Sequence, residues 1–322
     1  MSLIICTVFE DHYHLGLLAL TNSLYHQGYR GVIYAGYRGE LPKWSDKAEN
    51  TKDCCWPGLK ILNVAEGLKV YFMPLETENE LTNYKPDFML RLINNPDIDA
   101  SGIFYFDPDI VLCAPWSFYE DWINSGIALC EDVNSPLPIN HPRRTAWRQY
   151  FSKNGIELSF KDSMYVNGGF VGVSRKEYGF IEKWKEIQEL MGHQIGGLTK
   201  SIFSKIPLAD DVSGPFAPFS KTDQDALNAA IEAWDGCYSL VGQEGMAFKP
   251  GAPQMSHALG SPKPWQMKHI LYALGGRSPR RVDRDYWDVV DGPVKYFRKP
   301  FIIYQKVTMQ IAIFICRFYK RS

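Results

Sequence analysis

A chain of 322 residues can form one large domain or two small ones, and 45% hydrophobic with 22% charged residues is ordinary for a globular protein. The formal net charge of −1 provides no overall basic field, so we expect no nucleic-acid partner. Seven cysteines without a CxxC pattern favour reduced, buried thiols in a cytosol over a disulfide framework. Asp53, Cys54 and Cys55 are adjacent, but no second ligand cluster accompanies them, so we interpret them as packing residues rather than a metal site.

The first segment has the pattern of a strand, a helix and a second strand. Residues 3–8 are apolar, Leu17, Leu20 and Leu24 recur at helical spacing, and residues 32–35 are apolar again. This order predicts a βαβ unit, and hence an α/β domain with a parallel sheet. We expect neither a signal peptide nor a membrane-spanning helix, because the first apolar run is short and no stretch of about 18 uninterrupted apolar residues follows.

The tip of the first strand carries acidic and aromatic residues over positions 9–13. No GxGxxG follows the strand, which argues against a dinucleotide fingerprint. The ring of Tyr13 is suited to stacking on a base, and a carboxylate is suited to hydrogen bonding with the base or the ribose. We therefore expect this tip to hold a nucleoside.

Residues 68–72 predict a third strand, and residues 85–95 predict a helix whose Phe88 and Leu92 face inward. Arg91 lies on another face of this helix and, taken alone, is a solvated surface charge. Because the helix leads directly into a pair of carboxylates, Arg91 is also a candidate ligand for an anion.

Those two carboxylates follow a buried strand. Residues 102–106 are apolar or aromatic, Asp107 and Asp109 come next, and residues 110–112 are apolar again. The carboxyl edge of an open α/β sheet is where ligands bind, and two close carboxylates repel each other unless a cation lies between them. A hard divalent cation that also holds phosphate oxygens fits this position. Asp-Pro-Asp is also good turn chemistry, so the motif alone leaves a plain turn open.

Two further strands are predicted beyond this motif. Residues 126–130 form a short apolar run that also ends on acids, and residues 165–174 form another that contains Gly168 and Gly169. A glycine pair lets the backbone approach a ligand closely, or it makes a bulge.

A helix is predicted over residues 176–191, and residues 192–220, rich in Gly, Pro and Ser, predict a functional loop or lid. The next helix begins near Thr222. Asp223 and Gln224 would then lie at a helix N-terminus beside an open cleft, although Thr222 or Asp223 is also an ordinary helix cap.

Residues 257–265 hold two prolines, a glycine, a lysine and a histidine, and we expect a loop rather than a core segment. His257 offers a ligand for Mn²⁺, and Lys263 offers a positive charge for phosphate. A lone histidine is usually structural, but its position six residues from a lysine in a loop rigidified by prolines favours a ligand site.

Several of these segments together resemble family 8 of the retaining glycosyltransferases, which includes bacterial lipooligosaccharide galactosyltransferases and glycogenin. Residues 257–265 match HxxGxxKPW without a departure. They follow an Asp-x-Asp strand end, an Asn-Gly-Gly strand and an Asp-Gln-Asp-x-Leu-Asn helix start in the family's order. The resemblance covers roughly residues 3–265. The Asp-Pro-Asp segment departs from the more usual Asp-Thr-Asp or Asp-Ala-Asp but keeps both acids.

The resemblance implies a GT-A fold, which is one α/β domain with a mostly parallel central sheet flanked by helices. It also implies a UDP-sugar donor with Mn²⁺, or with Mg²⁺ in its place. By motif, the metal ligands would be Asp107, Asp109 and His257, and the catalytic residues would be Asp223 and Gln224. The implied donor-binding residues are Val8, Glu10, Tyr13, Arg91, Asn167, Gly260 and Lys263.

The expected reaction is the transfer of a hexose, with retention, to a glycan or lipid-linked glycan. Retention requires either a covalent intermediate or attack by the acceptor from the face that the leaving group vacates. Glutamine is a poor nucleophile, so we prefer same-face attack, with Asp223 orienting or stabilising. Two alternatives remain: a nucleotide-sugar-binding protein without turnover, and a metal-dependent nucleotidyltransferase, which would normally show a Gly-rich phosphate loop near the N-terminus.

We expect residues 1–275 to form the glycosyltransferase domain and residues 276–322 to form a C-terminal extension. The extension ends in an apolar run over residues 301–316, followed by basic residues, and it is too polar in its middle to span a bilayer. One interpretation is a helix lying on an anionic membrane, which places a cytoplasmic enzyme peripherally at the inner membrane face. The other is a terminal helix docked on the core or on a second subunit.

Overall fold

The computed structural model of the protein describes residues 2–51, 54–202, 204, 208–214 and 216–319. Asp53, Lys320 and Arg321 therefore lie outside the described residues, as do parts of the predicted loop 192–220. The strands are β1 (Ser2–Glu10), β2 (Gly31–Arg38), β3 (Glu49–Asn50), β4 (Lys60–Ala65), β5 (Leu68–Pro74), β6 (Ala100–Phe106), β7 (Ile110–Leu112), β8 (Ile127–Glu131), β9 (Val166–Ser174), β10 (Tyr238–Val241) and β11 (Met255–His257). The helices are α1 (His14–His26), α2 (Lys85–Ile93), α3 (Trp116–Trp122), α4 (Pro142–Lys153), α5 (Gly179–Ile195), α6 (Asp210–Ser213), α7 (Thr222–Ala233), α8 (His269–Leu274), α9 (Arg281–Val289) and α10 (Lys299–Cys316).

Nine strands of the described chain form one sheet, in the order β10-β8-β9-β6-β1-β2-β5-β4-β3. β1 pairs in parallel with β2 and β6, β2 with β5, and β8 with β10. β9 is antiparallel to both of its neighbours, and so is β4. All the strands therefore run in one direction except β4 and β9, which confirms the predicted α/β architecture with a mostly parallel central sheet.

The central strands are buried on both faces because helices cover both faces of the sheet. Alternate residues of β1 enter different hydrophobic clusters: Cys6 and Val8 pack on the side of α2, α5 and α7, whereas Ile5 and Phe9 pack on the side of α1 and α3. The period of two along a strand therefore explains why residues 3–8 are apolar apart from the buried Thr7.

The carboxyl ends of β1 and β6 lie at the same sheet edge, and the chain turns sharply where β6 ends. The Asp107 amide donates to the Gly169 carbonyl at 2.7 Å, and the Ile110 amide donates to the Asp107 carbonyl at 3.1 Å. The apolar run over residues 102–112 is thus two strands of different sheets, because β7 leaves the main sheet and pairs with β11.

Several elements differ from the sequence prediction. α3, α4 and the short antiparallel strands β3 and β4 were not predicted, and β4 is the edge-side partner of β5. The helix predicted over residues 176–191 is α5 (Gly179–Ile195), which extends into the predicted loop, and that loop also contains α6. The tetrapeptide α6 is too short for its hydrophobic periodicity to be recognised in a sequence.

The C-terminal segment packs against the first helix. Val290, Val294 and Ile302 share a hydrophobic cluster with Leu18 of α1. The side chain of Asn22 in α1 fastens this contact, because its Nδ2 donates to the carbonyls of Val289 and Val294 at 3.1 and 3.0 Å and its Oδ1 accepts from the Val294 amide at 2.8 Å. Within the described residues, every helix is too short or too polar to cross a membrane.

Candidate active site

A cleft of about 450 Å³ opens at the sheet edge where β1 and β6 end. Its walls come from the tips of these strands, the start of β9, the first turns of α2 and α7, and the segment after β11. All the predicted site residues except Arg91 line this cleft: Val8, Glu10, Tyr13, Asp107, Asp109, Asn167, Asp223, Gln224, His257, Gly260 and Lys263.

The side chains of Asp107, Asp109 and His257 converge in the wall of the cleft. Their ligand atoms all lie within 4.8 Å of one another. Nε2 of His257 is 3.3 Å from Oδ1 of Asp109 and 3.7 Å from Oδ2 of Asp107. Pairing of β7 with β11 produces this proximity, because His257 stands opposite Ile110 in the antiparallel register. His257 thus ends a strand and is buried, which corrects the prediction that it lies in a loop.

Gly169 of β9 lies against this cluster, whose side chains occupy the space that a Cβ atom at position 169 would need. A Cβ atom at position 169 would lie 2.5 Å from Cε1 of His257 and 2.8 Å from Oδ2 of Asp107. Only a glycine lets strand β9 pass so close to both side chains. Two carboxylates and one imidazole, held together beside an open cleft, are a donor set that fits a divalent cation such as Mn²⁺.

Lys263 is buried in the same wall, and its ammonium donates to the Asp109 carboxylate and to the Ala258 carbonyl. Burial would lower the pKa of Lys263, but the Asp109 carboxylate beside it raises the pKa above its ordinary value. Burial would raise the pKa of Asp109, but Lys263 and His257 hold it well below its usual range. Both groups are therefore charged at neutral pH, and a positive charge is already fixed at the predicted diphosphate position.

A second buried cation, Lys85, was not predicted. Its Nζ lies 2.8 Å from Oδ2 of Asp223, 3.1 Å from Oδ1 of Asp107 and 2.8 Å from the Gly168 carbonyl. Burial would lower the pKa of Lys85, but the two carboxylates raise it above its ordinary value, so the ammonium stays charged. A lysine in the first turn of a helix is usually solvated, so no local pattern indicates this role.

Asp223 is an ion-pair partner of Lys85 rather than a helix cap. The residue preceding α7 is Lys221, and it provides no side-chain cap. The hydroxyl of Thr222, the other predicted cap, instead donates to Oδ1 of Asn83 at 2.6 Å. The Lys85–Asp223 pair therefore connects α2 to α7 across the floor of the cleft.

Arg91 does not lie in the cleft. Its guanidinium stacks 3.8 Å above the ring of Trp56 and donates to the Tyr84 hydroxyl at 2.9 Å, on an exposed surface. Six residues separate it from Lys85, which is about 600° of helical rotation and places the two side chains on different faces of α2. The position that the sequence suggested for Arg91 is occupied by Lys85.

Gln224 lines the cleft, and only one end of its carboxamide is hydrogen-bonded. Its Oε1 accepts a hydrogen bond from the Gly168 amide at 3.0 Å, which fixes the orientation of the carboxamide. Its Nε2 is buried and has no hydrogen-bond partner among the described residues. Because a buried unpaired donor is costly, we expect this N–H group to meet an oxygen of a bound ligand.

Both ends of the Asn167 side chain are held by protein groups. Its Nδ2 donates to Oδ2 of Asp132 at 2.7 Å, and its Oδ1 accepts from the Gly169 amide at 2.8 Å. Asp132 follows the end of β8, so one of the acids noted at that strand end supports a residue of the cleft without lining it.

Aromatic side chains lie beside Lys263 in the same cleft, where the centroid of the Tyr13 ring is 5.4 Å from Nζ of Lys263. The ring of Tyr13 stacks on His12, with centroids 4.7 Å apart, and lies 6.1 Å from Trp265 in an edge-on arrangement. Glu10 forms an ion pair with Arg38 at 2.8 Å across the β1–β2 boundary. The positive φ of Gly260, +68°, lets the chain turn at the rim of the cleft.

Comparison with known proteins agrees with this geometry. No family model and no curated protein matches the chain in sequence. The structure of the bifunctional glycosyltransferase WbbM matches with a TM-score of 0.51 and 12% identity over 96% of this chain and 52% of that chain. The structure of an active-site mutant of LgtC matches with a TM-score of 0.52 and 11% identity over 92% of this chain and 98% of that chain.

This chain spans about half the length of WbbM and nearly all of LgtC. At such low identity the likeness is one of fold. The chain has the GT-A fold of these glycosyltransferases, and at this level the resemblance to family 8 is confirmed.

Proposed function

We propose that the protein is a retaining glycosyltransferase that transfers a hexose from a UDP-sugar to a glycan or lipid-linked glycan with Mn²⁺, or with Mg²⁺ in its place. The observation that carries this proposal is the convergence of Asp107, Asp109 and His257 in the wall of one cleft. These residues come from positions about 150 apart in the chain, and the β7–β11 pair brings them together.

In this proposal Asp107, Asp109 and His257 hold the cation. When bound, a divalent cation neutralises the charge of a diphosphate and makes it a better leaving group. Lys263 adds a fixed positive charge beside the same ligands, which favours the charge that develops on the departing UDP. Tyr13 and Glu10, together with the Val8 backbone, line the same cleft and would hold the uridine.

Asp223 and Gln224 line the same cleft and would contact the transferred sugar. Lys85 holds the Asp223 carboxylate in place, and Gln224 offers an N–H donor because its oxygen is already engaged by Gly168. This arrangement suits binding of sugar hydroxyls and argues against attack by the Gln224 oxygen. Same-face attack by an acceptor hydroxyl therefore remains the preferred route, with Asp223 orienting the sugar.

A screen of UDP-sugars tests the proposal. We expect slow hydrolysis of one UDP-hexose with Mn²⁺ and none with EDTA, and no turnover by Asp109→Asn, which retains the size of the side chain. Absence of metal-dependent hydrolysis or transfer for every UDP-sugar would refute the proposed activity. Isolation of a glycosyl adduct on Asp223 would refute same-face attack while leaving the transferase assignment intact.

We also propose that the enzyme works on the cytoplasmic side, peripherally at the inner face of a membrane, where a lipid-linked glycan would be accessible. The support is the C-terminal segment, in which an apolar helix is combined with basic residues.

A further inference from the structure

The last described helix, α10, is apolar on both of its faces. Its inner face, which includes Ile302, Met309 and Ala312, is buried against the rest of the protein. The opposite side is mostly apolar, with Gln310 as an exposed polar residue within it. Its exposed apolar and aromatic side chains recur mostly at spacings of three or four residues: Ile303, Tyr304, Val307, Ile311, Phe314 and Phe318. The helix is therefore docked on the core, as one of the two interpretations predicted, and still presents an apolar stripe to solvent.

Helix α8 extends this stripe. Leu271 and Leu274 are about 60% exposed, at 62% and 59%. The Tyr319 hydroxyl donates to the Leu274 carbonyl, and Sγ of Cys316 lies 3.9 Å from the Ala273 carbonyl, so the end of α10 is fixed beside α8. We call these two leucines together with the six exposed residues of the stripe the outer face. Contiguous apolar surface of this kind marks a site of interaction.

The segment that carries the outer face is strongly basic, with cations just before α8 and at both ends of α10. Residues 268–322 contain twelve Lys and Arg against four Asp, a charge of +8 in a chain whose net charge is −1. The remaining residues, 1–267, therefore carry −9. Seven exposed cations of this segment form no ion pair with another described residue: Lys268, Arg277, Arg284, Lys295, Arg298, Lys299 and Arg317.

We propose that the outer face binds an anionic lipid surface, with α10 lying parallel to the bilayer. An apolar stripe flanked by unpaired cations suits insertion among acyl chains beneath negative head groups. A second copy of the chain is a poorer occupant, because a twofold interface would bring two segments of charge +8 together. This inference deepens the proposed function by naming the surface that meets the membrane, and it rests on that function only for the acceptor.

Vesicle flotation of the full chain tests the proposal. We expect binding to vesicles of phosphatidylcholine and phosphatidylglycerol at least about tenfold stronger than to phosphatidylcholine alone, with a decrease at high salt. The double variant Val307→Glu and Ile311→Glu should lose at least about tenfold of this binding, because both charges would have to enter the apolar layer. Unchanged thermal unfolding of the variant would show that it folds.

The matched control places the same substitutions at Val133 and Ile139. These residues are similarly exposed, at 49% and 48%, but follow β8 rather than belonging to the outer face. We expect the control variant to bind vesicles as the wild type does. Equal losses in both variants would overturn the proposal, as would failure of the wild type to bind anionic vesicles.

Two outcomes distinguish membrane binding by the outer face from dimerisation and from the proposed enzymatic activity. If the wild type is a dimer, binds no vesicles and becomes monomeric with Val307→Glu and Ile311→Glu, the outer face serves a second copy and the proposal is wrong. UDP-sugar hydrolysis without vesicles should be the same in the wild type and in this variant. Loss of vesicle binding with retained hydrolysis therefore supports the outer face, whereas absent hydrolysis in both proteins speaks only against the proposed activity.

Discussion

Substitution of Gly169 by alanine should disable the proposed metal site without unfolding the protein. The added Cβ would lie 2.5 Å from Cε1 of His257 and 2.8 Å from Oδ2 of Asp107. Ordinary contact begins at about 3.4 Å, so the imidazole must retreat by about 0.9 Å. All the crowded atoms belong to side chains, so the ligands can move while the backbone of β9 stays in place.

The size of the effect follows from this displacement. A misplacement of about 1 Å in a reacting site costs about a hundredfold in rate, or about 2.7 kcal/mol of transition-state stabilisation. We therefore expect kcat/KM for UDP-sugar hydrolysis to fall by about a hundredfold, with a higher Mn²⁺ concentration needed for half-maximal rate. The assay measures hydrolysis against Mn²⁺ concentration for both proteins.

Gly172→Ala is the matched control, because it causes steric crowding in the same strand but at a position distant from the metal ligands. Its Cβ would press on the ring of Phe104 and on Ala128. Overpacking of this kind costs about 1–3 kcal/mol of stability. The control should therefore unfold at lower urea concentration yet keep its Mn²⁺ dependence. Turnover by Gly169→Ala within threefold of the wild type, at unchanged Mn²⁺ dependence, would refute the assignment of this cluster.

Three further predictions concern stability. Lys85→Met leaves the carboxylates of Asp107 and Asp223 without the cation that they share, and it should cost about 3 kcal/mol of unfolding free energy in EDTA. Lys85→Arg restores a positive charge and should recover most of that stability. Equal urea midpoints for Lys85→Met and the wild type would contradict this prediction. Asn22→Ala leaves three backbone groups unpaired, two of them buried, and should cost about 3 kcal/mol of unfolding free energy in the same assay. A loss below about 1 kcal/mol would count against this contact as an anchor of the C-terminal segment. Burial lowers the pKa of His269, whose ring nitrogens have no hydrogen-bond partner in the described chain. The unfolded state therefore binds more protons below about pH 6.5, so stability should fall as the pH drops from 7 to 5, and His269→Leu should lessen this slope; parallel profiles would exclude His269 as a cause.

Much of the candidate site could be predicted because the sequence shows where apolar runs end, and these positions are the ends of strands. Apolar runs that end on Glu10 and on Asp107 place both residues at one edge of a parallel sheet. The HxxGxxKPW segment then supplied His257 and Lys263, and the family's order of motifs related them to the acids. The structure brings these residues into one cleft.

Long-range pairing and burial could not be predicted in the same way. The antiparallel contact of β7 with β11 joins residues about 145 positions apart, and local periodicity carries no information about it. The local sequence therefore predicts a loop at His257, whereas the structure has a strand end there. Lys85 was missed for a related reason: it is buried only because Asp107 and Asp223, distant in sequence, neutralise it.

The faces of helix α2 show how a helical position can mislead. Both Lys85 and Arg91 are cations on the helix that precedes Asp107, and either residue could have faced the cleft. Phe88 and Leu92 pack inward, but the first turn of the helix also reaches the sheet edge, so Lys85 enters the site while Arg91 rests on Trp56. The direction of α2 relative to the sheet determines which of the two cations enters the cleft, and this direction cannot be derived from the sequence.

The most direct test is a Mn²⁺ titration followed by electron paramagnetic resonance in the presence of UDP. We expect the wild type to bind one Mn²⁺ per chain in the cleft, and Asp109→Asn to weaken this binding by about tenfold or more. Asp99→Asn, which changes an exposed acid paired with Arg175 before β6 begins, serves as the control and should bind as the wild type does. Equal Mn²⁺ affinity in the wild type and in Asp109→Asn would contradict the shared metal site on which the proposed function depends.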